Sequence, residues 1–219
     1  MTERETRRRA VLAAALPHVP FEGWTDRLLG FAADDLGIHA NEARRLFPGG
    51  GAELCGLFVA EADRRMLEAL AHHDLEAMRV RDRIALAVRT RLEQARVHRE
   101  AVRRALGFYA LPFNAAEGAR TLYRTVDAMW RAAGDTATNF NFYSKRALLA
   151  GVYGSTLLTW LDDRSENSAA TWAFLERRID DVMRIQKARG RWAKRLPDPD
   201  RVVAGLARRL REPRRRRSA

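Results

Sequence analysis

Apolar residues recur every three to four positions along most of the chain, which is the spacing of an amphipathic helix. Thr2 and Glu5 have the spacing of a capping box that opens a first helix, and Pro17 ends that helix. Residues 53–72 show the helical spacing clearly, with apolar side chains at Leu54, Leu57, Phe58, Ala62, Met66 and Leu70. No stretch shows the strict alternation of a half-buried strand. The pattern predicts an all-α fold of about nine helices.

Two short predicted helices near the N-terminus form a helix-turn-helix pattern. Residues 24–36 make the first helix, Gly37 makes the turn, and residues 40–46 make the second helix. The sequence FPGGG follows at residues 47–51. It lacks the Lys-Ser/Thr pair of a phosphate-binding loop, so we predict an ordinary turn there.

The most apolar predicted helix covers residues 144–161 and is apolar on nearly every side, which indicates a buried central helix. Its uncharged run of 15 residues, 147–161, is shorter than the roughly 20 residues of a membrane span. The segment TNFNFYSKR, residues 138–146, leads into this helix with three aromatics and two amides. We interpret it either as a loop that covers the core or as a docking surface beside an apolar cavity.

The apolar faces of the last helices also allow two interpretations. A stripe at helical spacing is more often packed core, but it can also form the wall of a cavity. The second interpretation predicts a lipid-binding pocket lined by Met129, Trp130, Leu149, Val152, Tyr153, Leu157, Trp160, Trp172, Leu175, Ile179 and Met183.

Charge sets the C-terminal end apart. Residues 187–219 hold 13 basic and 3 acidic residues, a net +10, whereas the residues before them hold 27 and 25, a net +2. After the linker LPDPD, residues 201–211 predict a basic amphipathic helix of the kind that lies in a membrane interface. The predicted membrane-binding residues are Val202, Val203, Leu206, Arg208, Arg209 and Leu210. A solvated tail and a nucleic-acid arm are the alternatives.

These patterns predict three parts of the chain. Residues 1–50 are the helix-turn-helix part, residues 51–195 the helical part with the pocket, and residues 196–219 the linker, amphipathic helix and tail.

The sequence offers no catalytic or metal-binding constellation. It has no Glu-x-x-His pair of the kind that di-iron bundles use, and the adjacent His72 and His73 point to different helix faces. The single cysteine, Cys55, lies among small and apolar residues and is predicted to be a packed core thiol. We therefore predict a protein that is not an enzyme and needs no cofactor or metal. The N-terminus lacks a signal-peptide pattern, so we expect a cytoplasmic location.

Residues 134–190, from GDTATNFNFYSKR to DDVMRIQKARG, closely resemble the signature region of the Coq-nine (COQ9) family of ubiquinone-biosynthesis accessory proteins. The helix-turn-helix and the LFPGG after it resemble the TetR-type fold which that family shares. The resemblance implies a TetR-like homodimer that binds an isoprenoid quinone precursor or a phospholipid in an apolar cavity. It also implies peripheral attachment to an anionic membrane, here the inner membrane, and delivery of the lipid to the demethoxyubiquinone hydroxylase.

The same resemblance implies a docking surface for that hydroxylase. In the family, the segment before the apolar helix reads Asn-Trp-Tyr-Thr-Lys-Arg. Here it reads NFYSKR, with Phe142 in place of the Trp. The implied partner-binding residues are Asn141, Phe142, Tyr143, Lys145 and Arg146.

Two other functions stay open at this point. A TetR-type DNA-binding regulator fits the helix-turn-helix, whose second helix offers Asn41, Arg44 and Arg45 for base and phosphate contacts. The nearly neutral body is a poor electrostatic footprint for DNA, so nucleic acid is the disfavoured partner. An enzyme that uses the cavity is the other alternative, and the lack of paired catalytic groups argues against it.

Overall fold

A computed structural model of the chain describes residues 2–134 and 140–193, with side-chain surroundings for residues 2–134 and 144–184. These ranges contain ten α-helices and no strand, so the predicted all-α fold is confirmed. The helices are α1 Glu3–Ala15, α2 Val19–Glu22, α3 Leu28–Leu36, α4 Ala40–Leu46, α5 Gly50–Leu70, α6 Val80–Gln94, α7 Arg99–Ala110, α8 Ala115–Ala132, α9 Phe140–Asp162 and α10 Ala169–Ala193. Short 3₁₀ turns at Arg96–His98 and Glu166–Ser168 precede α7 and α10.

The predicted capping box is present at the start of α1. The backbone N–H of Glu5 donates to Thr2 Oγ1 at 3.3 Å, and the backbone N–H of Thr2 donates to Glu5 Oε2 at 2.8 Å. These bonds satisfy amide groups that the first helical turn leaves unpaired. From there α1 packs against α3 and α4.

The helix-turn-helix consists of α3 and α4. Gly37 ends α3 with φ at 63°, and the N–H of Ile38 donates to the carbonyl of Ala33 at 3.0 Å, an ending that glycine allows without strain. The first helix begins at Leu28 and not at residue 24 as predicted. Trp24 is held elsewhere, because its buried indole N–H donates to the carbonyl of Ala101 in α7 at 3.2 Å.

The glycine run after α4 begins α5, where the sequence predicted a separate turn. The N–H of Gly51 donates to Asp26 Oδ1 at 2.9 Å. A Cβ at position 51 would lie only 2.5 Å from the backbone oxygen of Trp24. The absence of a side chain therefore allows the first turn of α5 to approach the residues that precede α3.

Arg8 joins the N-terminal helices to the rest of the body. Its Nη1 donates to the carbonyl of Leu46 at 3.0 Å and to Glu53 Oε1 at 2.6 Å. The guanidinium also lies 4.4 Å from the ring centre of Phe47. One side chain of α1 thus holds the end of α4 and the start of α5.

The body of the molecule is formed by α5, α6, α8 and α9, with α7 against α8. Its fully buried side chains include Met66, Val88, Leu92, Val126, Met129 and Trp160. Two arginines of α7 bind carbonyls at the end of α9: Arg99 donates to Trp160 and to Asp163, the residue after the helix, and Arg103 donates to Leu161. Positive charge at a helix C-terminus is favourable because the carbonyls there carry partial negative charge.

The chain divides into two compact units, residues 1–177 and 178–219. Helix α9 begins at Phe140, so residues 140–143 form the first turn of this helix and not a loop as predicted. In the part of the chain that the structure describes, no helix is both long and apolar enough to span a membrane. The predicted amphipathic helix, residues 201–211, lies outside the described residues.

Candidate functional site

A cavity of about 350 Å³ lies between α5, α7, α8 and α9, with one residue of α6 in its wall. Its apolar walls include Phe58, Val59, Val102, Leu106, Leu122 and Leu157. The mouth lies near Leu158, which is 61% exposed, and the exposed Ala115 and Ala119. Small-molecule sites in proteins typically measure about 300–1,000 Å³ and are mostly apolar, so this cavity has the size and chemistry of a binding site.

Glycines shape two of its walls. Gly154 of α9 lines the cavity, and a Cβ at this position would meet no heavy atom within 4 Å. Gly118 of α8 also lines it and allows close contact with α7, because a Cβ there would lie 2.8 Å from Cβ of Tyr109. Gly154 thus leaves open space in the cavity, and Gly118 allows the walls formed by α7 and α8 to lie close together.

A charged pair lies at the buried end of the cavity. Arg91 of α6 lines the cavity although it is only 4% exposed, and its Nε donates to Asp63 Oδ1 at 2.8 Å. Thr125, also in the wall, donates its hydroxyl to Asp63 Oδ2 at 2.8 Å. A buried charge requires such partners, because removal from water costs several kcal/mol for each ion.

Two tyrosines border the same region. Tyr153 is 5% exposed, and its burial raises the pKa of its hydroxyl, although Arg91 nearby opposes that shift. Burial and the neighbouring Cys55 also raise the pKa of Tyr109. Both phenols are therefore neutral at physiological pH, and each keeps a hydroxyl proton that it can donate to a ligand.

Cys55 is fully buried behind this wall, and burial raises the pKa of its thiol to about 12. The predicted core thiol is thus confirmed. A buried thiol with so little thiolate at neutral pH is a poor nucleophile.

The structure places only part of the predicted pocket in this cavity. Tyr153 and Leu157 line it. Four other predicted residues are buried in the core and do not line it: Met129, Leu149, Val152 and Trp160. Leu149, Val152 and Trp160 lie on other sides of α9, which is apolar on nearly all sides but turns only the face with Tyr153, Gly154, Leu157 and Leu158 toward the cavity.

Trp130, Trp172 and Leu175 also lie away from the cavity lining. Trp172 and Leu175 line a separate shallow depression beside Arg89 of α6. The indole N–H of Trp130 donates to the carbonyl of Lys145 at 3.1 Å. Ile179 is buried and Met183 is 37% exposed.

The predicted partner-binding residues are described in part. The side chains of Asn141, Phe142 and Tyr143 lie outside the described residues. Lys145 is half-buried, with its ammonium 5.5 Å from the ring centre of Trp130. Arg146 is only 2% exposed, and its Nε lies 2.6 Å from Asp127 Oδ1, a pair that links α9 to α8. The predicted membrane-binding residues of the tail, from Val202 to Leu210, also lie outside the described residues.

Several residues of the cavity were not predicted, and Arg91 is the one that the sequence could have revealed. It falls on the apolar stripe of α6 that Ile84, Val88 and Leu92 mark, and all four are buried. A charged residue inside a helical apolar stripe signals a buried polar contact. Phe58 and Tyr109 carry no comparable signal, since their spacing fits an ordinary core.

The structure also shows the surfaces on which the alternative functions depend. Asn41, Arg44 and Arg45 of α4 are exposed, whereas Glu42 pairs with Arg7 at 3.2 Å. Among the described residues, no group of three or more His, Cys, Asp or Glu side chains is placed to hold a metal ion.

The chain is similar to known proteins in sequence and in fold. A sequence profile of the COQ9 family matches residues 115–186, which contain all of α8 and α9 and part of α10. The human "Ubiquinone biosynthesis protein COQ9, mitochondrial" is 34% identical over 204 residues, which cover 90% of this chain and 63% of the human protein. The Drosophila melanogaster protein of that name is 30% identical over 183 residues, 82% of this chain and 56% of the fly protein. The chain thus spans less than two thirds of these relatives.

The fold has a counterpart among solved structures. The crystal structure of the TetR transcriptional regulator from Nitrosomonas europaea ATCC 19718 matches with a TM-score of 0.66, over 80% of this chain and 97% of the regulator. The sequences are 23% identical, so the likeness shows the fold alone, and the predicted TetR-like fold is confirmed. The extent of the matches to the human and fly relatives, together with the COQ9 profile, establishes that the chain belongs to the COQ9 family.

Proposed function

We propose that the protein is a lipid-binding accessory protein of ubiquinone biosynthesis, which binds an isoprenoid quinone precursor and presents it to the hydroxylase that modifies the ring. The observation that carries this proposal is the apolar cavity between α5, α7, α8 and α9. The names of the human and fly relatives support the pathway. We assign no catalytic step to this chain.

The cavity supports a carrier because it offers apolar surface to an apolar ligand. Each square ångström of apolar ligand surface removed from water contributes about 25 cal/mol. The wall residues come from five helices, so the site depends on the packing of the whole body and not on one loop. The exposed Leu158 at its mouth extends the apolar surface outward.

We predict that Gly154→Phe abolishes lipid binding. The phenyl ring would occupy the open space beside position 154, so the fraction of protein that copurifies with lipid should fall roughly tenfold or more. Native mass spectrometry, followed by solvent extraction, measures that fraction and identifies the lipid.

Gly151→Phe is the matched control for this prediction. Gly151 lies one turn earlier in α9, also has no heavy atom within 4 Å of a Cβ, and does not line the cavity. This variant should retain its lipid. Equal lipid content in the two variants, or wild-type protein without any lipid, would count against the carrier.

We also propose that the basic tail brings the carrier to the inner membrane from its cytoplasmic side. Residues 198–219 carry 8 basic and 3 acidic residues. Each basic residue near an anionic surface contributes about 1 kcal/mol, so the tail should provide most of the binding to the membrane.

Deletion of residues 198–219 should therefore abolish binding to vesicles that contain anionic lipid, while lipid occupancy of the cavity stays unchanged. Sedimentation with vesicles of phosphatidylglycerol and phosphatidylcholine measures this, and vesicles of phosphatidylcholine alone are the control. Equal sedimentation of the full and shortened chains would refute the tail as the membrane anchor.

For the partner hydroxylase, we propose docking at the start of α9, with Asn141, Phe142, Tyr143 and Lys145 as contacts. Lys145 retains partial exposure, and aromatic residues are common anchors in protein interfaces. Pull-down of the hydroxylase with the wild-type protein and with Tyr143→Ala tests the contact. Equal recovery would remove Tyr143 from the interface.

DNA binding is the second candidate, because Asn41, Arg44 and Arg45 are exposed on the second helix of the helix-turn-helix. Binding to an operator would depend steeply on salt, since Lys and Arg contacts release counterions from DNA. Loss of such binding in an Arg44→Ala/Arg45→Ala variant would favour a regulator, and its absence in the wild type would exclude one.

A further inference from the structure

Three side chains at the buried end of the cavity carry hydrogen-bond donors that have no acceptor in the described part of the chain. Arg91 bonds Asp63 through Nε, and its Nη1 and Nη2 make no hydrogen bond to described residues. The hydroxyl of Tyr153 makes none within the same residues, and the hydroxyl of Tyr109 is buried without one. All three side chains line the cavity.

Such donors are costly unless something accepts from them. A buried donor without an acceptor costs about 1–3 kcal/mol, which corresponds to roughly 5- to 150-fold in a binding constant. The Tyr109 hydroxyl is enclosed without a partner, whereas Arg91 and Tyr153, whose side chains are only 4% and 5% exposed, line the cavity. A ligand that places oxygen atoms beside them would recover this free energy on binding.

The charge balance indicates what kind of oxygen fits. Asp63 already neutralises the guanidinium of Arg91, and its other oxygen is occupied by the hydroxyl of Thr125. The region therefore presents donors without net charge. Neutral carbonyl, hydroxyl or methoxy oxygens match it better than a carboxylate or phosphate, whose desolvation would have no counter-charge.

The cavity's volume limits what can lie inside. A cavity of about 150 Å³ holds a benzene molecule, so about 350 Å³ has space for a substituted ring but not for a long isoprenoid tail as well. The exposed apolar mouth at Leu158 offers a path along which the tail can leave.

We infer that the cavity binds its lipid with the ring inward: neutral ring oxygens accept hydrogen bonds from Arg91, Tyr153 and Tyr109, and the isoprenoid tail leaves past Leu158. This inference rests on the proposed function, because it requires that the cavity binds a lipid. It adds the orientation of the ligand and the residues that distinguish an oxygenated ring from a plain hydrocarbon.

Two ligands with the same tail test the ring contacts. Decylubiquinone carries ring oxygens and n-decylbenzene does not, so titration calorimetry should show that the full-length protein binds the quinone at least about tenfold more tightly. In Tyr153→Phe and Tyr109→Phe, affinity for decylubiquinone should fall about 5-fold or more, while affinity for decylbenzene stays unchanged. These changes remove one hydroxyl and keep the ring, so the fold is preserved.

Tyr123→Phe is the control, because Tyr123 of α8 is 41% exposed and does not line the cavity. It should bind both ligands as the wild type does. Decanoate is a third probe, and tighter binding of this anion than of decylubiquinone would overturn the neutral ring as the ligand.

The outcomes separate the inference from the proposed function. Equal affinity for the two ten-carbon ligands, unaffected by Tyr153→Phe and Tyr109→Phe, would overturn the ring-inward orientation and leave a carrier that recognises only tails. Failure of both ligands to bind would overturn the carrier itself and the inference with it.

Photocrosslinking gives an independent measure of orientation. A decylubiquinone analogue with a diazirine at the far end of its tail should label the mouth, near Ala115, Ala119 and Leu158. Labelling of the segment around Arg91 instead would show that the tail points inward and would refute the inference.

Discussion

The substitution Asp63→Ala is expected to lower the free energy of unfolding by about 3–5 kcal/mol, because it leaves the buried guanidinium of Arg91 without its counter-charge. The side chains of Asp63 and Arg91 are 14% and 5% exposed, so water cannot replace the lost carboxylate well. The hydroxyl of Thr125 would lose its bond to Asp63 in the same step. For a chain of this size, each kcal/mol corresponds to roughly 2–4 °C in Tm, so thermal unfolding followed by circular dichroism resolves the effect.

Glu93→Ala is the matched control, since Arg89 and Glu93 of α6 form a pair of similar length, 2.8 Å, with both side chains about half exposed. Loss of this exposed pair should lower the free energy of unfolding by less than about 1 kcal/mol. A double variant, Asp63→Leu/Arg91→Met, replaces the buried pair with apolar groups and should recover most of the stability. A cost for Asp63→Ala as small as that for Glu93→Ala would show that the pair is solvated through the cavity.

The second large effect is expected for Gly51→Ala, which should destabilise the protein by about 1–3 kcal/mol or more. The added Cβ would lie 2.5 Å from the backbone oxygen of Trp24 and 2.6 Å from the backbone carbon of Thr25. Neither atom can rotate away as a side chain can, so α5 or the segment before α3 must move. Guanidinium unfolding of the variant measures the loss.

Gly56→Ala, in the same helix, should have the opposite sign. A Cβ at position 56 meets no heavy atom within 4 Å, and alanine in a helix interior is favoured over glycine by about 0.5–1 kcal/mol. Each variant adds one methyl group to α5. The difference between their free energies of unfolding therefore measures the effect of the close contact at position 51. If Gly51→Ala were as stable as the wild type, the start of α5 would not be in tight contact with residues 24–25.

The helices were largely predictable because their signals are local. The capping box at Thr2 and Glu5 and the Gly37 turn are formed by neighbours in the sequence, and the structure has both where they were expected. The start of α5 was not predictable in this way. Gly50 and Gly51 have the composition of a turn, and what makes them helical is contact with Trp24, Thr25 and Asp26, more than 20 residues away.

The cavity was harder to predict because apolar periodicity describes core and pocket alike. Trp160 and Tyr153 have the same helical spacing, yet the first is enclosed by other side chains and the second borders empty space. The difference arises where the helices around the cavity carry small residues, as at Gly154, Ala105 and Ala119. Such gaps depend on several elements at once, and no single segment of the sequence reveals them.

The burial of Cys55 also makes the molecule convenient for labelling. It is the single cysteine in the chain, and its thiol stays protonated at neutral pH because its pKa is raised to about 12. A cysteine introduced at exposed Leu158 would then be the thiol that a maleimide dye or a nitroxide reaches, without prior removal of Cys55. A probe at that position would follow the arrival and departure of molecules at the cavity mouth in an otherwise unaltered protein.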